Sequence, residues 1–255
     1  MDMKKLLWVC LLLAVLPLPA ECQEENKALE LFENAVAAMG GSAFMDVKDI
    51  VSSGNYFEFD RFGASSPLIK FTDYTKLPDK SRYELGNKKN QLSVTVFNLE
   101  TGEGWIQEGQ KEAREANEDE MRDFRNTVKH SLELIFRIRY KDPRNSLFYI
   151  GPGEGRDMIL EKVKLIDPEN DEVDVYFNRM THLPAKMEYT TKNSDGVRQR
   201  ITQEFSQWHE IQGVLTSLRT DGYVNGRQAY QSHVVELKYN NDLPDSTFSK
   251  PVPQK

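Results

Sequence analysis

The feature that most constrains the fold of this chain is an alternation of apolar and polar side chains with a period of two residues. The alternation runs through 69–72, 92–96 and 173–177, among other segments, and turn sequences separate the runs. Because successive side chains of a β-strand point to opposite faces of a sheet, the pattern predicts antiparallel strands with one buried and one solvated face. The strongest turn signal is Asn225-Gly226, since a type I′ hairpin turn needs two residues that tolerate a positive φ. The runs and turns together predict about eleven strands.

Two segments depart from this alternation and carry apolar side chains at helical spacing. The first covers 24–39 and ends at Gly40-Gly41, because glycine adopts the left-handed conformation of a helix C-terminal cap. The second covers 117–140, opens with acidic residues, ends with basic residues and stops before Pro143. The apolar faces consist of Leu29, Phe32 and Val36 in the first helix and of Met121, Phe124, Val128, Leu132, Ile135 and Phe136 in the second.

These elements predict an α+β fold in which the antiparallel sheet curves into a half-barrel and the helices cover its concave face. A sheet of so many strands has to curl or close, and its apolar face then needs a cover. A cleft between sheet and helices is a natural place for an apolar ligand. The stripe on 117–140 is consistent with plain core packing and with a movable lid over a ligand cavity. The sequence does not separate these two interpretations, because both need the same stripe.

The N-terminus has the parts of a secretory signal, with two lysines, a short apolar stretch and then a small residue, Ala20. A membrane span would need about 20 apolar residues, so a cleaved signal is the better interpretation and an uncleaved anchor the alternative. We therefore predict that 1–20 is removed and that 21–255 forms a single exported domain. Lipidation of Cys22 is a further alternative, although the residue before a lipidated cysteine is small and here it is Glu21.

The charge balance limits the partners of the chain. The sequence has 33 basic and 40 acidic residues, which gives a net charge of −7. Binding to nucleic acid requires a basic surface that neutralises phosphates, so this balance argues against nucleic acid as a partner. It also argues against simple electrostatic docking on anionic lipid.

No arrangement in the sequence indicates catalysis, a cofactor or a metal. The histidines are not at metal-ligand spacing; they are His130, His182, His209 and His233. The acidic run at 167–172 lacks the glycine and the distant glutamate of a calcium loop, so we predict a hairpin tip. The glycine-rich segment at 151–155 contains a proline and lacks the Lys-Ser/Thr of a phosphate-binding loop, so we predict a plain loop.

Four stretches in a fixed order carry a resemblance to a known family. They are the helix end at 37–41, the hairpin at 173–189 whose second strand opens with Leu-Pro, the turn-and-strand segment at 213–227, and the ending at 241–251. In this order and with these helix positions, the chain resembles the LolA-like family of periplasmic carriers that sort outer-membrane lipoproteins. The four stretches span nearly all of the chain after residue 20.

The resemblance implies an open half-barrel with helices across its concave face, a hydrophobic cavity that shelters acyl chains, and no catalysis. It places the chain in the periplasm, with a lipid or acylated lipoprotein as ligand and an inner- or outer-membrane protein as a further partner. The nine apolar helix residues named above are the candidate ligand and lid residues. An alternative on the same fold is a module that senses envelope stress through a protein partner. An enzyme is a third interpretation, for which no nucleophile, base and orienting group can be assembled from the sequence.

Overall fold

The structure is a computed structural model that describes residues 20–153, 155, 158–193 and 195–252. The predicted signal segment therefore lies outside the described residues, except for its last position. The described α-helices are α1 (Ala20–Ala38), α2 (Ser42–Met45), α3 (Glu118–Lys129) and α4 (Leu132–Arg137). Short 3-10 helices occupy Lys89–Gln91, Arg139–Lys141 and Asp245–Phe248. None of the described helices is both long and apolar enough to span a membrane.

The described strands form one antiparallel sheet, and the order of the strands places the segment with α3 and α4 across it. They are β1 (Asp49–Glu58), β2 (Ile69–Lys76), β3 (Lys80–Leu85), β4 (Ser93–Asn98), β5 (Glu103–Glu108), β6 (Arg114–Glu115), β7 (Ser146–Gly153), β8 (Leu160–Ile166), β9 (Glu172–Asn178), β10 (Pro184–Lys192), β11 (Arg198–Ile211), β12 (Val214–Val224) and β13 (Arg227–Tyr239). Strand β1 lies in the middle, between β2 and β13; β2 to β6 continue to one edge, and β12 back to β7 continue to the other. The segment with α3 and α4 joins β6 to β7, so it has to cross the sheet from edge to edge.

The predicted antiparallel sheet with a helical cover is confirmed, and so are its clearest local signals. Helix α1 ends at Ala38, and Gly40 follows with a φ of 121°. A Cβ atom on Gly40 would lie 2.3 Å from the carbonyl oxygen of Gly213, so only glycine fits at this close approach. Asn225 and Gly226 have φ values of 52° and 79°, as a type I′ turn requires. The described sheet has thirteen strands rather than about eleven, and one of the two additional strands is β6, whose two residues are too few to show a period of two.

The prediction of one helix over 117–140 is wrong, because the segment contains two helices. Helix α3 ends at Lys129, His130 is its C-cap, and Ser131 is the N-cap of α4. The Ser131 hydroxyl accepts a hydrogen bond from the backbone N–H of Leu134 at 3.1 Å. A serine that bonds the backbone in this way favours the start of a new helix over continuation of the old one.

The prediction of a plain loop at 151–155 is also wrong in part. Residues 151–153 belong to β7, which pairs with β8 and forms an edge of the sheet. Proline cannot donate a backbone hydrogen bond, but an edge strand has one side that needs no donor, so Pro152 is tolerated there. The register shifts between Tyr149 and Gly151, and Gly151 has a φ of 119°.

The main core lies between α1, α4 and the strands toward the β7 edge. Phe32 of α1 is its centre, with ring centroids 5.1 Å from each of Phe136, Tyr140 and Phe177. The side chains of Phe32 and Phe136 have no exposed surface. This packing fixes α1 and α4 against the sheet.

A second, smaller core lies on the other face of the sheet, near the β6 edge. Val94 and Val96 of β4 turn away from the helices and pack with Phe248 near the C-terminus. The alternate residues of this strand, including Thr95 and Phe97, face the helices instead. Val94 and Val96 therefore do not contribute to the sheet surface beneath α3.

Candidate ligand-binding cleft

The segment that crosses the sheet leaves space beneath it. Two adjoining cavities of about 540 Å³ and about 520 Å³ lie between this segment and the sheet. Both include Tyr83, Glu133 and Tyr239 among their wall residues, so we describe them as two halves of one cleft. The arginine half is the 540 Å³ cavity that contains Arg137, and the aspartate half is the 520 Å³ cavity that contains Asp73.

The cleft has a helical roof and a floor of strands. The roof residues are Phe124, Thr127, Val128, His130, Ser131, Leu132, Glu133 and Arg137. The apolar floor and wall residues include Met39, Phe44, Phe71, Phe97, Phe205, Trp208, Leu215, Val234 and Leu237. The polar ones include Ser52, Asp73, Thr75, Ser81, Tyr83, Thr95, Thr216, Ser217, Thr220, Ser232 and Tyr239. The lining is therefore amphipathic rather than uniformly apolar.

The candidate ligand residues divide into two groups in the structure. Phe124 and Val128 line the aspartate half, and Leu132 lines the arginine half; all three are half-buried. Met121 is buried beside Gly104, where a Cβ atom on that glycine would lie 2.6 Å from the methionine sulfur. The remaining five line neither half and pack in the main core; they are Leu29, Phe32, Val36, Ile135 and Phe136. Contact of any of the nine with a ligand stays a prediction.

The charged residues of the cleft were not among the predicted site residues. A partial signal was present in the sequence, since Asp73 shares its face of β2 with Phe71 and Thr75. Residues that alternate in step with an inward-facing phenylalanine also face inward. Glu133 and Arg137 are four residues apart on α4, so they lie on the same side of that helix.

Asp73 is a carboxyl group enclosed by the walls of the aspartate half. Its hydrogen bonds come from the hydroxyl of Thr75, at 3.3 and 3.4 Å, and it has no ion pair within the described ranges. Burial raises the pKa of Asp73, the hydrogen bond from Thr75 lowers it and the nearby carboxyl of Glu133 raises it, and the net result is a pKa of about 7. This carboxyl therefore titrates close to neutral pH.

Arg137 is a cation in the wall of the arginine half. Its guanidinium carbon lies 3.9 Å from the centroid of the Phe44 ring, and its Nη1 donates a hydrogen bond to the Phe44 carbonyl oxygen. Burial lowers the pKa of Arg137, and the charges of Glu133 and Tyr239 act in the opposite direction. Its buried Nε–H has no hydrogen-bond partner in the part of the chain that the structure describes.

Tyrosines form much of the floor below these charges. The rings of Tyr56 and Tyr230 stack with their centroids 5.7 Å apart. Burial raises the pKa of Tyr56 to about 12 and also raises the pKa of Tyr83. Tyr239 has a pKa raised by burial to about 12, and its hydroxyl lies 2.7 Å from the hydroxyl of Thr216. Tyrosine supplies a rigid apolar ring and a polar tip, so this floor suits a ligand with both kinds of surface.

A cluster of charged groups holds the junction between α3 and α4. We call it the junction cluster; its members are Lys129, His130, Arg139, Asp167 and Asp171. The buried His130 ring stacks on Tyr189, with centroids 3.9 Å apart, and its Nε2 lies 3.0 Å from a carboxylate oxygen of Asp171. Arg139 Nη2 donates to the same carboxylate at 3.1 Å.

The junction cluster ties the helices to the tip of the β8–β9 hairpin. Burial alone would raise the pKa of Asp171, but the hydrogen bond from His130 and the charges of His130, Lys129 and Arg139 lower it to about 2. Lys129 completes the cluster through Asp167, with Nζ 2.7 Å from a carboxylate oxygen. Because the hairpin tip is part of the sheet, the cluster fixes one end of α3 while the rest of that helix lies over the cleft.

Within the described residues, no group of three or more His, Cys, Asp or Glu side chains is arranged to hold a metal ion. Both ring nitrogens of the roof residue His130 are already engaged, Nδ1 with the Asn126 carbonyl oxygen at 2.7 Å and Nε2 with Asp171. The cleft therefore offers enclosed volume, apolar surface and isolated charges, which are features of a binding site.

Comparison by sequence gives no match, since no protein-family model and no curated protein matches the chain. Comparison by structure gives clear matches. A LolA superfamily protein from Nitrosomonas europaea aligns with a TM-score of 0.56 and 12% identity, over 88% of this chain and 97% of that protein. An outer membrane lipoprotein-sorting protein domain from Vibrio parahaemolyticus aligns with a TM-score of 0.53 and 11% identity, over 88% and 97%.

A third similar structure is a DUF1329 family protein from Desulfovibrio piger, with a TM-score of 0.57 and 11% identity, over 87% of this chain and 97% of that protein. All three alignments cover almost the full length of the solved structure, so the similarity concerns the whole sheet and its helices. The predicted resemblance is confirmed at the level of the fold: this chain has the LolA-like fold.

Proposed function

We propose that this chain is a non-catalytic periplasmic protein that binds and carries the acyl chains of a lipid or a lipoprotein. The observation that carries the proposal is the cleft between the α3–α4 segment and the sheet. Its two halves have the volume range of small-molecule sites and adjoin each other, so an extended chain can occupy both. The signal predicted at 1–20 supports export, and the LolA-like fold supports a binding role over a catalytic one.

The energetics of the roof agree with this proposal. Phe124, Val128 and Leu132 keep part of their apolar surface exposed to the cavity instead of burying it in the core. Burial of each CH₂ group contributes about 0.8 kcal/mol, so several groups of an acyl chain against these side chains give useful affinity. An acyl chain is poorly soluble in the water between two membranes, which is why a soluble carrier is needed there.

Native mass spectrometry of the mature protein, followed by organic extraction and lipid analysis, tests the proposal. We expect a bound lipid or acylated peptide, and one-to-one uptake of a fluorescent fatty acid by the delipidated protein. Val128→Trp fills the aspartate half and should reduce uptake at least tenfold. Val235→Trp makes the same change at an exposed position that lines neither half, and it should leave uptake unchanged.

Two results would contradict the proposal. The first is a clean mass without ligand together with no uptake of the fluorescent fatty acid. The second is uptake by Val128→Trp equal to that of wild type, which would place the bound chain outside the cleft.

A second candidate function is an interaction module that senses the envelope through a protein partner. A polar groove of about 790 Å³ outside the cleft favours it. The groove runs beside α3 and includes the charged side chains of Arg122, Lys192 and Arg198, which suit a polar segment of a partner protein. This function predicts a stable complex with a membrane protein that survives Val128→Trp, whereas the carrier function predicts that this variant is inactive.

A further inference from the structure

The arginine half of the cleft contains Arg137, which forms no ion pair within the described residues although Glu58 and Glu133 line the same half. Arg137 makes no ion pair within the described ranges, and the only hydrogen bond of its guanidinium there goes from Nη1 to the Phe44 carbonyl oxygen. The Nε–H is buried and has no hydrogen-bond partner among the described residues. An unpaired charge in a partly apolar wall costs free energy, which the ring of Phe44 offsets only in part.

The nearest candidate for internal compensation is Glu133, one helical turn before Arg137. Its charge influences Arg137, yet in the part of the chain that the structure describes the two side chains form no ion pair and the Glu133 carboxylate makes no hydrogen bond. Glu133 lines both halves of the cleft, and its carboxylate lies beyond ion-pair distance of the Arg137 guanidinium. Nη2 of Arg137 has no hydrogen-bond partner within the described residues and is not buried, so it is the donor that a ligand in the cavity can reach; Nε is enclosed beside it.

The geometry of a guanidinium determines which ligand group fits these donors. With Nη1 engaged by Phe44, the remaining edge presents Nε and Nη2 side by side. Two parallel N–H donors match two oxygens of a carboxylate or a phosphate, and such paired bonds are stronger than neutral ones. The same half of the cleft also offers apolar side chains to an alkyl chain, among them Met39, Leu132 and Leu215.

We infer that Arg137 anchors the anionic headgroup of the ligand, so that the cleft selects acyl chains that carry a carboxylate or a phosphate. This inference rests on the proposed function, since it names the class of amphiphile that the cleft binds. The headgroup accepts a hydrogen bond from Nη2 and, after a small shift of the side chains that enclose it, from Nε as well, and the chain extends past Leu132 toward Val128 and Phe124 in the aspartate half.

The test compares probes that share one alkyl chain and differ in the headgroup. Dodecanoate, dodecyl phosphate, dodecan-1-ol and dodecyltrimethylammonium are titrated below their micellar concentrations into the delipidated protein, and Kd is obtained by calorimetry. We expect dodecanoate or dodecyl phosphate to bind about 10- to 100-fold more tightly than dodecan-1-ol, as hydrogen bonds to charged groups imply. The stronger of the two anions identifies the headgroup, and the cationic probe should bind no better than the alcohol.

Variants of Arg137 assign the selectivity to this side chain. The readout is the ratio of the Kd values for dodecan-1-ol and for the preferred anion, because this ratio does not depend on the fraction of folded protein. Arg137→Gln should bring the ratio close to one, and Arg137→Lys should give an intermediate ratio because it keeps the charge and loses the paired donors. Arg122→Gln removes the same charge from α3 outside the cleft and should keep the wild-type ratio.

The outcomes separate this inference from the proposed function. If all four probes bind with equal affinity, acyl binding stands and the anchor is overturned. Tighter binding of the cation, or an unchanged ratio in Arg137→Gln, also overturns the anchor. If no probe binds, acyl binding in the cleft fails, and the anchor fails with it.

Discussion

The two ends of the segment that crosses the sheet carry the same apolar periodicity and use it in different ways. At the α4 end, Phe136 has no exposed surface and packs against Phe32 in the main core. At the α3 end, Phe124 stacks on Phe97 with centroids 4.3 Å apart, stays half-buried and lines a cavity. The comparison teaches that an apolar stripe on a helix does not by itself distinguish core packing from a ligand roof.

The difference arises from what lies on each side of the segment. Helix α4 is enclosed between α1 and the strands of the β7 side, so its apolar side chains have packing partners in several directions. Helix α3 lies over the strands near β4, whose apolar residues Val94 and Val96 pack on the opposite face of the sheet. The cleft lies beneath the end of the segment whose helix is not enclosed by the main core.

Truncation of one phenylalanine at each end of the segment should give the largest difference in the free energy of unfolding. Phe136→Ala should lower the free energy of unfolding by about 3–5 kcal/mol, because it leaves a cavity in a fully packed core. Phe124→Ala should lower it by only about 1 kcal/mol, because that side chain already borders empty space. Urea unfolding monitored by circular dichroism measures both values on the same residue type.

Ligand binding supplies the matching control for this pair. Phe124→Ala should weaken binding of a dodecyl chain severalfold, whereas a folded Phe136→Ala protein should bind it as wild type does. Equal losses of stability in the two variants would mean that α3 packs as tightly as α4 and that the division proposed for the segment is wrong.

Removal of one carboxylate from the junction cluster tests whether this cluster stabilises the junction between α3 and α4. Asp171→Asn should lower the free energy of unfolding by about 2 kcal/mol at neutral pH, since Arg139 and His130 lose a charged partner. The pKa of Asp171 in the folded state, about 2, lies below its unfolded value of 3.8. Its contribution is therefore present above about pH 4 and is lost as the pH falls toward 2, where variant and wild type should converge.

Glu172→Gln is the control for this experiment, because the neighbouring Glu172 pairs with Lys164 at an exposed position. We expect a change below about 0.5 kcal/mol. Hydrogen exchange should show that Asp171→Asn increases the opening of α3 more than that of α4. A uniform increase over both helices would indicate that the cluster supports the whole segment rather than its α3 end.

Asp73, in the aspartate half, should change the free energy of unfolding with pH in the opposite direction to Asp171. The pKa of Asp73 is about 7 in the folded state and lies above its unfolded value of 3.8. Between these values the unfolded chain has released the proton and the folded chain has kept it, so stability falls as the pH rises and becomes constant above about pH 7. Asp73→Asn should therefore be more stable than wild type, by on the order of 2 kcal/mol, at pH 8.

The same variant should match wild type below about pH 4, where Asp73 is protonated in both states. Asp195→Asn, in an exposed turn, serves as the control and should show no comparable pH dependence. Chemical denaturation at several pH values measures the trend. A stability difference that is independent of pH would show that Asp73 is ionised throughout and well solvated in the cleft.

The sequence predicted the parts of the fold that depend on local chemistry. The end of α1 follows from Gly40, the hairpin turn from Asn225-Gly226, and the sheet from its alternation. The break between α3 and α4 could not be predicted in this way, because His130 and Ser131 are both acceptable inside a helix. Ser131 caps α4 locally, and the junction is also held by Asp171, which is distant in sequence and bonds His130 only in the folded chain.

The cleft was predictable in position and less so in character. Its location follows from an apolar helical stripe that has to lie over a curved sheet. Its polarity depends on which face of each strand turns toward that helix. In β4, Val94 and Val96 pack with Phe248 on the face that points away from the helix. Arg137 and Asp73 matter because they lack ion-pair partners within the described ranges, and the absence of a partner leaves no trace in a sequence.

The smallest expected difference in stability concerns the N-caps of α3 and α4. Asn117 caps α3 in a reciprocal arrangement with Glu120, and Ser131 caps α4 through the N–H of Leu134. Loss of either cap should cost about 1 kcal/mol at the helix itself. Because α4 is part of the core, Ser131→Ala should show this loss in the global free energy of unfolding. Asn117→Ala should instead increase the local opening of α3, because a helix over a cleft can unfold its first turn while the core stays intact.

Hydrogen exchange with mass spectrometry distinguishes these two responses. For Asn117→Ala, we expect faster exchange that is confined to peptides from α3 and little change in the urea midpoint. For Ser131→Ala, we expect a lower midpoint and faster exchange that extends to α1, because Phe32 packs directly on Phe136 of α4. Identical behaviour of the two variants would mean that α3 and α4 open as one cooperative unit. A lid that opens alone requires α3 to exchange independently, so this smallest effect is also the most direct test of how a ligand enters the cleft.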